Sequence, residues 1–403
     1  MVRAQPREAN VVAFAGKARV VFEQYVIPHY RVPFFAELAK RVDLLVVASE
    51  DRRVDGVTDV RSGLPFASTR LPELPGSLYH PGIGRCLKDH RAHVWISYDH
   101  RAERFPGGRT ISRQVEQDGV RMVHMGCDGY TVRDFAAYRR AYRSPRYEPR
   151  NFVGRLRHQR HLRKLDGFVV YSSHSASYLE EVYRIPESRI TVAHNAVDTT
   201  VIAAARAQLA ASGLARDPQR IAFVGRMTAG KGVDTLLHAF RAVSRRRPGS
   251  SLVLVGDGSA REEWQHLAAS LGLNNVEFCG AVFDEKQLAG ILCRCSVFVL
   301  PGLGGLALNT AMAAGLAIVC TLGDRTELDL VEEGVNGWHF PPGDGATLAE
   351  ILGQALSDPD RLAAMGSTSA AWVQERFSIE AMVDAYVRRI NMSIGFAAGP
   401  RAT

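Results

Sequence analysis

Residues 220–232 read Arg-Ile-Ala-Phe-Val-Gly-Arg-Met-Thr-Ala-Gly-Lys-Gly, and the amphipathic stretch Val233–Arg245 follows them. Arg220–Val224 has the length and apolar content of a buried strand, and the stretch after Gly232 has the helical period. The turn between them is rich in glycine, which lets a ligand approach the backbone closely. The start of the following helix offers unpaired N–H groups to an anion. Arg226 and Lys231 add two positive charges, and the combination suits a diphosphate. The order is neither the G-x-x-x-x-G-K-[ST] of a P-loop nor the G-x-G-x-x-G of a dinucleotide fingerprint. An ordinary glycine turn carrying surface cations would read the same way, so one loop alone does not define a site.

Two more loops of this kind lie downstream. Val255-Gly256-Asp257-Gly258 closes the run Ser251–Val255, and Pro301-Gly302-Leu303-Gly304-Gly305-Leu306-Ala307 closes Ser296–Leu300. The third runs into a small-residue helix, so the amides of Gly305, Leu306 and Ala307 form a second helix start aimed at phosphate. Three such loops at strand ends of one sheet point to a nucleotide site, because open α/β sheets bind ligands beyond the carboxyl ends of their strands.

The same rhythm extends outward. Ala18–Val26, Asp43–Ala48, His93–Ser97, Arg121–Met125, Gly167–Tyr171 and Arg189–His194 read as strands, with Tyr30–Arg41 and Ser173–Tyr183 as helices. After the alanine-rich connection Thr199–Gln219, strands at Arg220–Val224, Ser251–Val255, Val276–Cys279, Ser296–Leu300 and Ala317–Cys320 alternate with helices at Val233–Arg245 and Ala260–Leu271. Further helices start near Glu285, Leu306 and Thr347. This is the βαβ pattern of parallel sheets covered by helices. A last helix, Ile379–Met392, places Met382, Ala385, Tyr386 and Ile390 at helical spacing.

A length of 403 residues with 46% hydrophobic content supports two such units. No apolar stretch is long enough for a membrane span, and residues 1–16 lack a signal-peptide core, so a cytoplasmic location is expected. The six cysteines include no C-x-x-C pair, which argues against a zinc site or a disulfide framework. The net charge of +8 is concentrated: residues 101–164 hold sixteen Lys/Arg against six Asp/Glu. With Tyr138, Tyr142, Tyr147 and Phe152 interleaved, that segment suits either a solvated helical face or an anionic surface such as lipid headgroups at the inner membrane. Arginine outnumbers lysine 44 to 6, which a GC-rich genome would also produce. No helix-turn-helix, RRM or KH pattern supports nucleic-acid binding.

The half from Arg220 to Phe377 resembles the nucleotide-sugar domain of retaining glycosyltransferases of glycosyltransferase family 4. The resemblance is carried by G-R-M-T-A-G-K-G at 225–232, V-G-D-G at 255–258, V-E-F-C-G at 276–280 and F-V-L-P-G at 298–302. A-M-A-A-G at 311–315, E-G-V-N-G at 333–337, P-P-G-D at 341–344 and E-R-F-S at 375–378 extend it, with H-N-A-V-D at 194–198 upstream. It is much weaker over residues 1–165. The resemblance implies a GT-B fold, an α/β architecture of two Rossmann-like domains facing each other across a cleft. Residues 1–198 would bind the acceptor and 199–378 the nucleotide sugar, and the helix 379–395 would cross back to the first domain.

The resemblance also implies roles. Arg226 and Lys231 would hold the donor diphosphate and stabilise it as it leaves, with the Gly305, Leu306 and Ala307 amides acting from the other side and no metal required. Gly225, Gly256 and Asp257 would belong to the donor loops, and Gly280 with Ala281 and Val282 would lie near the base. Family members carry a Glu-x7-Glu pair that here falls on Gly302 and Thr310, so both carboxylates are missing and Thr310 keeps only a hydroxyl. An unusual donor sugar, a substitute such as Asn309 or Asp324, and loss of transfer are the three explanations. His124, in Val123-His124-Met125-Gly126-Cys127, matches the loop where the family places a histidine facing the sugar. A strand-end histidine satisfied by backbone is its plain alternative. Where family members often have a glycine-rich loop this sequence carries Pro and aromatics. His29, Tyr30 and Arg31 there are read as lining the acceptor site or as a plain helix start with Pro33 in its first turn. Asp99 is read as orienting an acceptor hydroxyl or as capping a loop. Ser172, Ser173 and His174 fall beside the interdomain cleft, and Glu327 matches a position that braces the donor loop.

The expected activity is transfer, with retention, from a UDP- or GDP-sugar to a glycan, lipid-linked or small-molecule acceptor, without a cofactor. A GT-B protein that binds nucleotide sugar only as a partner or scaffold is the alternative. A nicotinamide oxidoreductase on two Rossmann-like units is disfavoured by the missing fingerprint.

Overall fold

The computed structural model describes residues 16–54, 57–73, 80–98, 108–126, 156, 159–213, 216–323 and 325–395. The strands of the first half are β1 (Arg19–Glu23), β2 (Asp43–Ser49), β3 (Ala67–Leu71), β4 (Val94–Ser97), β5 (Arg121–Met125), β6 (Gly167–Val170) and β7 (Ile190–Val192). They form a seven-stranded sheet in the order β3-β2-β1-β4-β5-β6-β7. The second half contributes β8 (Arg220–Val224), β9 (Ser251–Val255), β10 (Val276–Gly280), β11 (Val297–Leu300), β12 (Ala317–Cys320) and β13 (Gly337–His339). These form a six-stranded sheet in the order β10-β9-β8-β11-β12-β13. Every strand pair in both sheets is parallel. The strand order reverses between β1 and β4 and again between β8 and β11. A crevice opens at such a switch point, beyond the carboxyl ends of the strands.

The residue pattern explains the layers. All four residues of β4, β6, β11 and β12 are buried, as expected of strands covered by helices on both faces. The helix Val233–Arg246 seals one face of the second sheet through Val233, Leu236, Leu237, Phe240 and Val243. These residues keep the i, i+3, i+4, i+7 spacing of a single apolar stripe. The edge strand β3, Ala-Ser-Thr-Arg-Leu, is only partly covered and carries no apolar run, so sequence patterning passes it over. The helix Ile83–Asp89 and the three-residue β13 were likewise not anticipated.

Two boundaries differ from expectation for local reasons. The helix expected from Tyr30 begins at Val32, because His29–Arg31 form a 3-10 turn and Pro33 occupies the first α-helical turn. The connection after residue 199 is mostly one helix, Thr200–Ala211.

The last helix, Ile379–Gly395, returns to the first sheet. Ile379, Met382, Val383, Tyr386 and Ile390 enter the same core as Phe22, Phe34 and Phe35. The Tyr386 ring lies 5.0 Å from Phe34 and 5.8 Å from Phe22, centroid to centroid. Arg389 on this helix is also buried and donates through Nη1 to the Ser188 carbonyl at 2.9 Å. Burial, with Arg189 adding, pulls its guanidinium down to about 10. The fully buried Tyr386 makes this helix part of the first domain's core. Tyr386→Ala is therefore expected to cost about 3–5 kcal/mol, the range for emptying an aromatic site, in urea unfolding of the full chain. An unchanged unfolding curve would mean that the returning helix adds nothing to that domain.

Candidate functional site

The three glycine loops meet backbone to backbone at the carboxyl end of the second sheet. Gly232 sits at φ +66°, and a Cβ there would stand 2.5 Å from the Pro301 carbonyl oxygen. A Cβ on Gly302 would fall on the carbonyl oxygen of Gly230, and one on Gly256 on that of Gly225. Short bonds hold the loops in this arrangement: Met227 N–H to the Asp257 carbonyl at 2.8 Å, Ala260 N–H to the Met227 carbonyl at 2.8 Å, and Gly256 N–H to the Gly280 carbonyl at 2.8 Å. The Lys231 ammonium donates to the carbonyls of Leu303 at 2.6 Å and Gly304 at 3.1 Å, tying the first loop to the third.

A cavity of about 760 Å³ opens above these loops, with walls from both halves of the chain. Gly225, Arg226 and Lys231 form one side, and Gly304, Gly305, Leu306, Ala307 and Thr310 form another. Opposite them stand His29, Tyr30, Pro33 and Thr58 of the first domain. Two cations and a helix start thus face one cavity, the arrangement that favours a polyanionic ligand. The volume lies in the range of small-molecule pockets.

The first-domain wall is held by one carboxylate. Asp59 accepts the Ile27 N–H at 2.9 Å and the two Arg70 Nη groups at 2.9 and 3.0 Å, and it pairs with Arg61 Nε at 3.0 Å. The neighbouring backbone continues the clamp, with His29 N–H on the Thr58 carbonyl at 3.0 Å and Val60 N–H on the Ile27 carbonyl at 2.8 Å. Burial works against the Asp59 charge, but the Arg70 hydrogen bonds and the Ile27 amide outweigh it and hold this carboxyl below the usual range.

Of the residues expected from sequence, Gly225, Arg226, Lys231, Gly305, Leu306, Ala307, Thr310, His29 and Tyr30 share the cavity wall. The Thr310 hydroxyl donates to the Leu306 carbonyl at 3.1 Å. The others fall elsewhere. Arg31 is buried, with Nη2 on the Tyr171 hydroxyl at 3.0 Å and Nη1 on the Met382 sulfur at 3.6 Å, so it ties the returning helix to the sheet and does not face an acceptor. His124 lies in β5, nearly buried, its ring 6.0 Å from that of Phe168 and off the cavity wall. Gly256, Asp257 and Gly280 are not part of the cavity wall. The Asp257 carboxylate is spent on the Gly258 N–H at 2.7 Å and on Arg261 at 3.3 Å. Asn309 is buried, donates to the Asn195 carbonyl at 3.0 Å and is not part of the cavity wall. Asp99 and Asp324 lie outside the described residues, as does most of the basic segment 101–164.

Val282, expected near the base, also lines the cavity. Sequence reasoning missed other wall residues: Asn195 and Asp198 in the interdomain connection, Val201 and Ile202 on the helix after it, and Phe283 and Glu285 after β10. H-N-A-V-D at 194–198 was the available signal for the first two. Phe283 could be found only by its exposure, 81% at the cavity mouth. Among the described residues, no group of three or more His, Cys, Asp or Glu side chains is placed to hold a metal ion.

Two Rossmann-type domains, a shared cleft and a C-terminal helix that crosses back define a GT-B protein. Comparison with known proteins agrees. Residues 218–358 match the family model described as glycosyl transferases group 1. It is 32% identical over 170 residues to O-antigen chain mannosyltransferase C of Escherichia coli, covering 41% of this chain and 44% of that protein. It is 26% identical over 335 residues to D-inositol 3-phosphate glycosyltransferase of Streptomyces scabiei, covering 76% and 71%. The chain thus spans less than half of the first relative. Among solved structures, Anabaena Alr3699/HepE in complex with UDP superposes with a TM-score of 0.65 at 16% identity, over 92% of this chain and 98% of that one. Sucrose-phosphate synthase from Thermosynechococcus elongatus gives 0.66 at 19%, with the same coverage. These likenesses show the fold.

The site geometry generates two expectations. Gly302→Glu, which puts back a carboxylate, should cost about 1–3 kcal/mol of stability by overpacking without tightening nucleotide binding. A variant as stable as the parent in thermal unfolding would show that the loop accepts a side chain. Asp59→Asn should lose about 1.5–3 kcal/mol at pH 7, the worth of hydrogen bonds to a charged group. Because the folded pKa of Asp59 is lowered, its contribution is present above the unfolded value near pH 4 and lost as pH falls through the folded one. The gap between variant and parent in urea midpoints should therefore shrink on acidification. A gap that stays constant down to pH 3 would assign the effect to packing.

Proposed function

We propose that this protein moves a sugar from a nucleoside diphosphate donor to an acceptor hydroxyl, with retention at the anomeric carbon and without a metal ion. The observation that carries the reading is the cavity between the domains, where Arg226 and Lys231 face the same volume as the start of the helix Ala307–Ala313. As the bond from the anomeric carbon to the phosphate oxygen breaks, negative charge grows on the departing diphosphate. Fixed cations and amide dipoles stabilise that charge more than the bound donor, which is what lowers a barrier. The acceptor oxygen forms its bond to the anomeric carbon on the face the phosphate leaves, and its proton passes to the released phosphate.

The comparisons support the donor class: a relative is named a mannosyltransferase, and a structural neighbour was solved with UDP. We assign the donor as a UDP- or GDP-sugar and the acceptor as a glycan, lipid-linked or small-molecule hydroxyl approaching from the His29 and Tyr30 side. The positive excess of residues 101–164 supports an acceptor presented at an anionic membrane surface. No helix among the described residues is long and apolar enough to cross a membrane.

Calorimetric titration with UDP and GDP tests the reading. One of them should bind, and Arg226→Ala and Lys231→Ala should each weaken it about 10–100-fold, the equivalent of about one charge-assisted hydrogen bond. Failure of the parent protein to bind either nucleotide would overturn the donor assignment.

A further inference from the structure

The chain crosses between the domains at residues 193–199 and again at Phe377–Ile379, and both crossings meet at His194, which pairs with Asp329. Asp329 lies on the four-residue helix Glu327–Leu330 of the second domain. Its Oδ2 accepts the backbone N–H of Ser173 at 2.7 Å, and its Oδ1 accepts the Ser173 hydroxyl. Ser173 is the first residue of the helix Ser173–Tyr183 in the first domain, so the carboxylate caps a helix start belonging to the opposite domain. His194, in the connection between the domains, meets the same Oδ2 through Nε2 at 3.0 Å. The His194 ring in turn stands edge-on to Phe377, 5.0 Å between centroids, where the chain turns back. The Asp329 side chain keeps 12% of its surface in solvent, so this is a sheltered contact and not a loose surface pair.

The same short helix reaches the cavity. Glu327, two residues earlier, is fully buried, and its Oε1 stands 2.8 Å from where a Cβ on Gly304 would be and 2.9 Å from one on Gly323. Gly304 lines the cavity. One turn of helix thus lies against the cavity-lining loop at Glu327 and against the first domain at Asp329.

We propose that Asp329 is an interdomain positioning residue: its bonds to Ser173 and His194 hold the domains at the angle that sets His29 and Tyr30 across the cavity from Arg226 and Lys231. It touches no reacting atom. The cleft width is set through it, and the helix Glu327–Leu330 links that width to the loop beneath the donor. The role in turnover rests on the transfer reading above; the role in domain angle does not.

Small-angle X-ray scattering of the full chain without ligand separates the two. Asp329→Ala should raise the radius of gyration while circular dichroism and thermal unfolding show both domains folded. His194→Phe should do the same, and His194→Gln, which keeps an N–H donor, should restore the parent profile. UDP or GDP affinity should change by less than about threefold, because the residues assigned to the diphosphate belong to the second domain. In transfer assays Asp329→Ala should raise the acceptor KM and lower kcat about tenfold, with His194→Gln near parent values. Scattering profiles identical to the parent for both Asp329→Ala and His194→Phe would overturn the proposal. So would an equal loss with His194→Gln and His194→Phe, which would assign His194 to packing alone. Altered scattering in a protein that transfers no sugar would leave the positioning role standing and remove the transfer reading instead.

Discussion

The site depends on three loops coming close enough for backbone to touch backbone. Gly232 against Pro301, Gly302 against Gly230, and Gly256 against Gly225 leave no space for a Cβ at any of the three. Closeness of this order is available only to glycine, and it has a chemical consequence. It draws Arg226 and Lys231 to the same cavity as the start of the helix Ala307–Ala313. Like charges in a confined volume repel unless an anion or a set of dipoles lies between them. Here part of that role falls to the Leu303 and Gly304 carbonyls, which hold the Lys231 ammonium at the wall. The loop packing therefore fixes the charge pattern before any ligand arrives, which is the preorganisation that electrostatic catalysis requires.

The first domain meets this rigid platform with a wall built differently. His29, Tyr30 and Thr58 do not rest on glycine packing. They stand on a short clamp of backbone bonds around Asp59, whose charge is held by Arg70 and Arg61. Bidentate arginine pairing of a sheltered carboxylate gives geometric precision at the cost of sensitivity to the partner's loss. Behind it, the returning helix locks Tyr386 among Phe22 and Phe34, and Arg31 ties that helix to Tyr171. The two walls of one cavity are thus held by separate systems, so their spacing is set by whatever joins the domains.

Much of the fold was legible because parallel α/β sheets write themselves plainly: β11 and β12 are continuous apolar runs, and the helix Val233–Arg246 has a clean stripe. β3 was not legible, since an edge strand needs no apolar run to pair. For the site, the glycine loops and both cations could be read, because chemistry at a strand end leaves a local signature. Arg31 and His124 could not be placed, because whether a polar side chain at a strand end faces the cleft or the core depends on partners distant in sequence. Met382 and Tyr171 decide it for Arg31, and Phe168 lies beside His124. Asp329 was invisible for the same reason, as its partners are 156 and 135 residues away.

The missing carboxylate at position 302 follows from the packing. A side chain there would have to displace the Gly230 and Lys231 backbone, and that backbone carries one of the two cations. A loop drawn this tight cannot also present a carboxylate from its first glycine, so a side chain there and closure of the loops compete for one position. In this chain closure prevails. The cations and the helix start around the loops then favour a ligand's phosphates, and Glu327 is buried against Gly304. The part of such a ligand beyond its phosphates meets the opposite wall, where His29, Tyr30 and Thr58 stand. The spacing of the two domains therefore sets the size of what fits between the two walls.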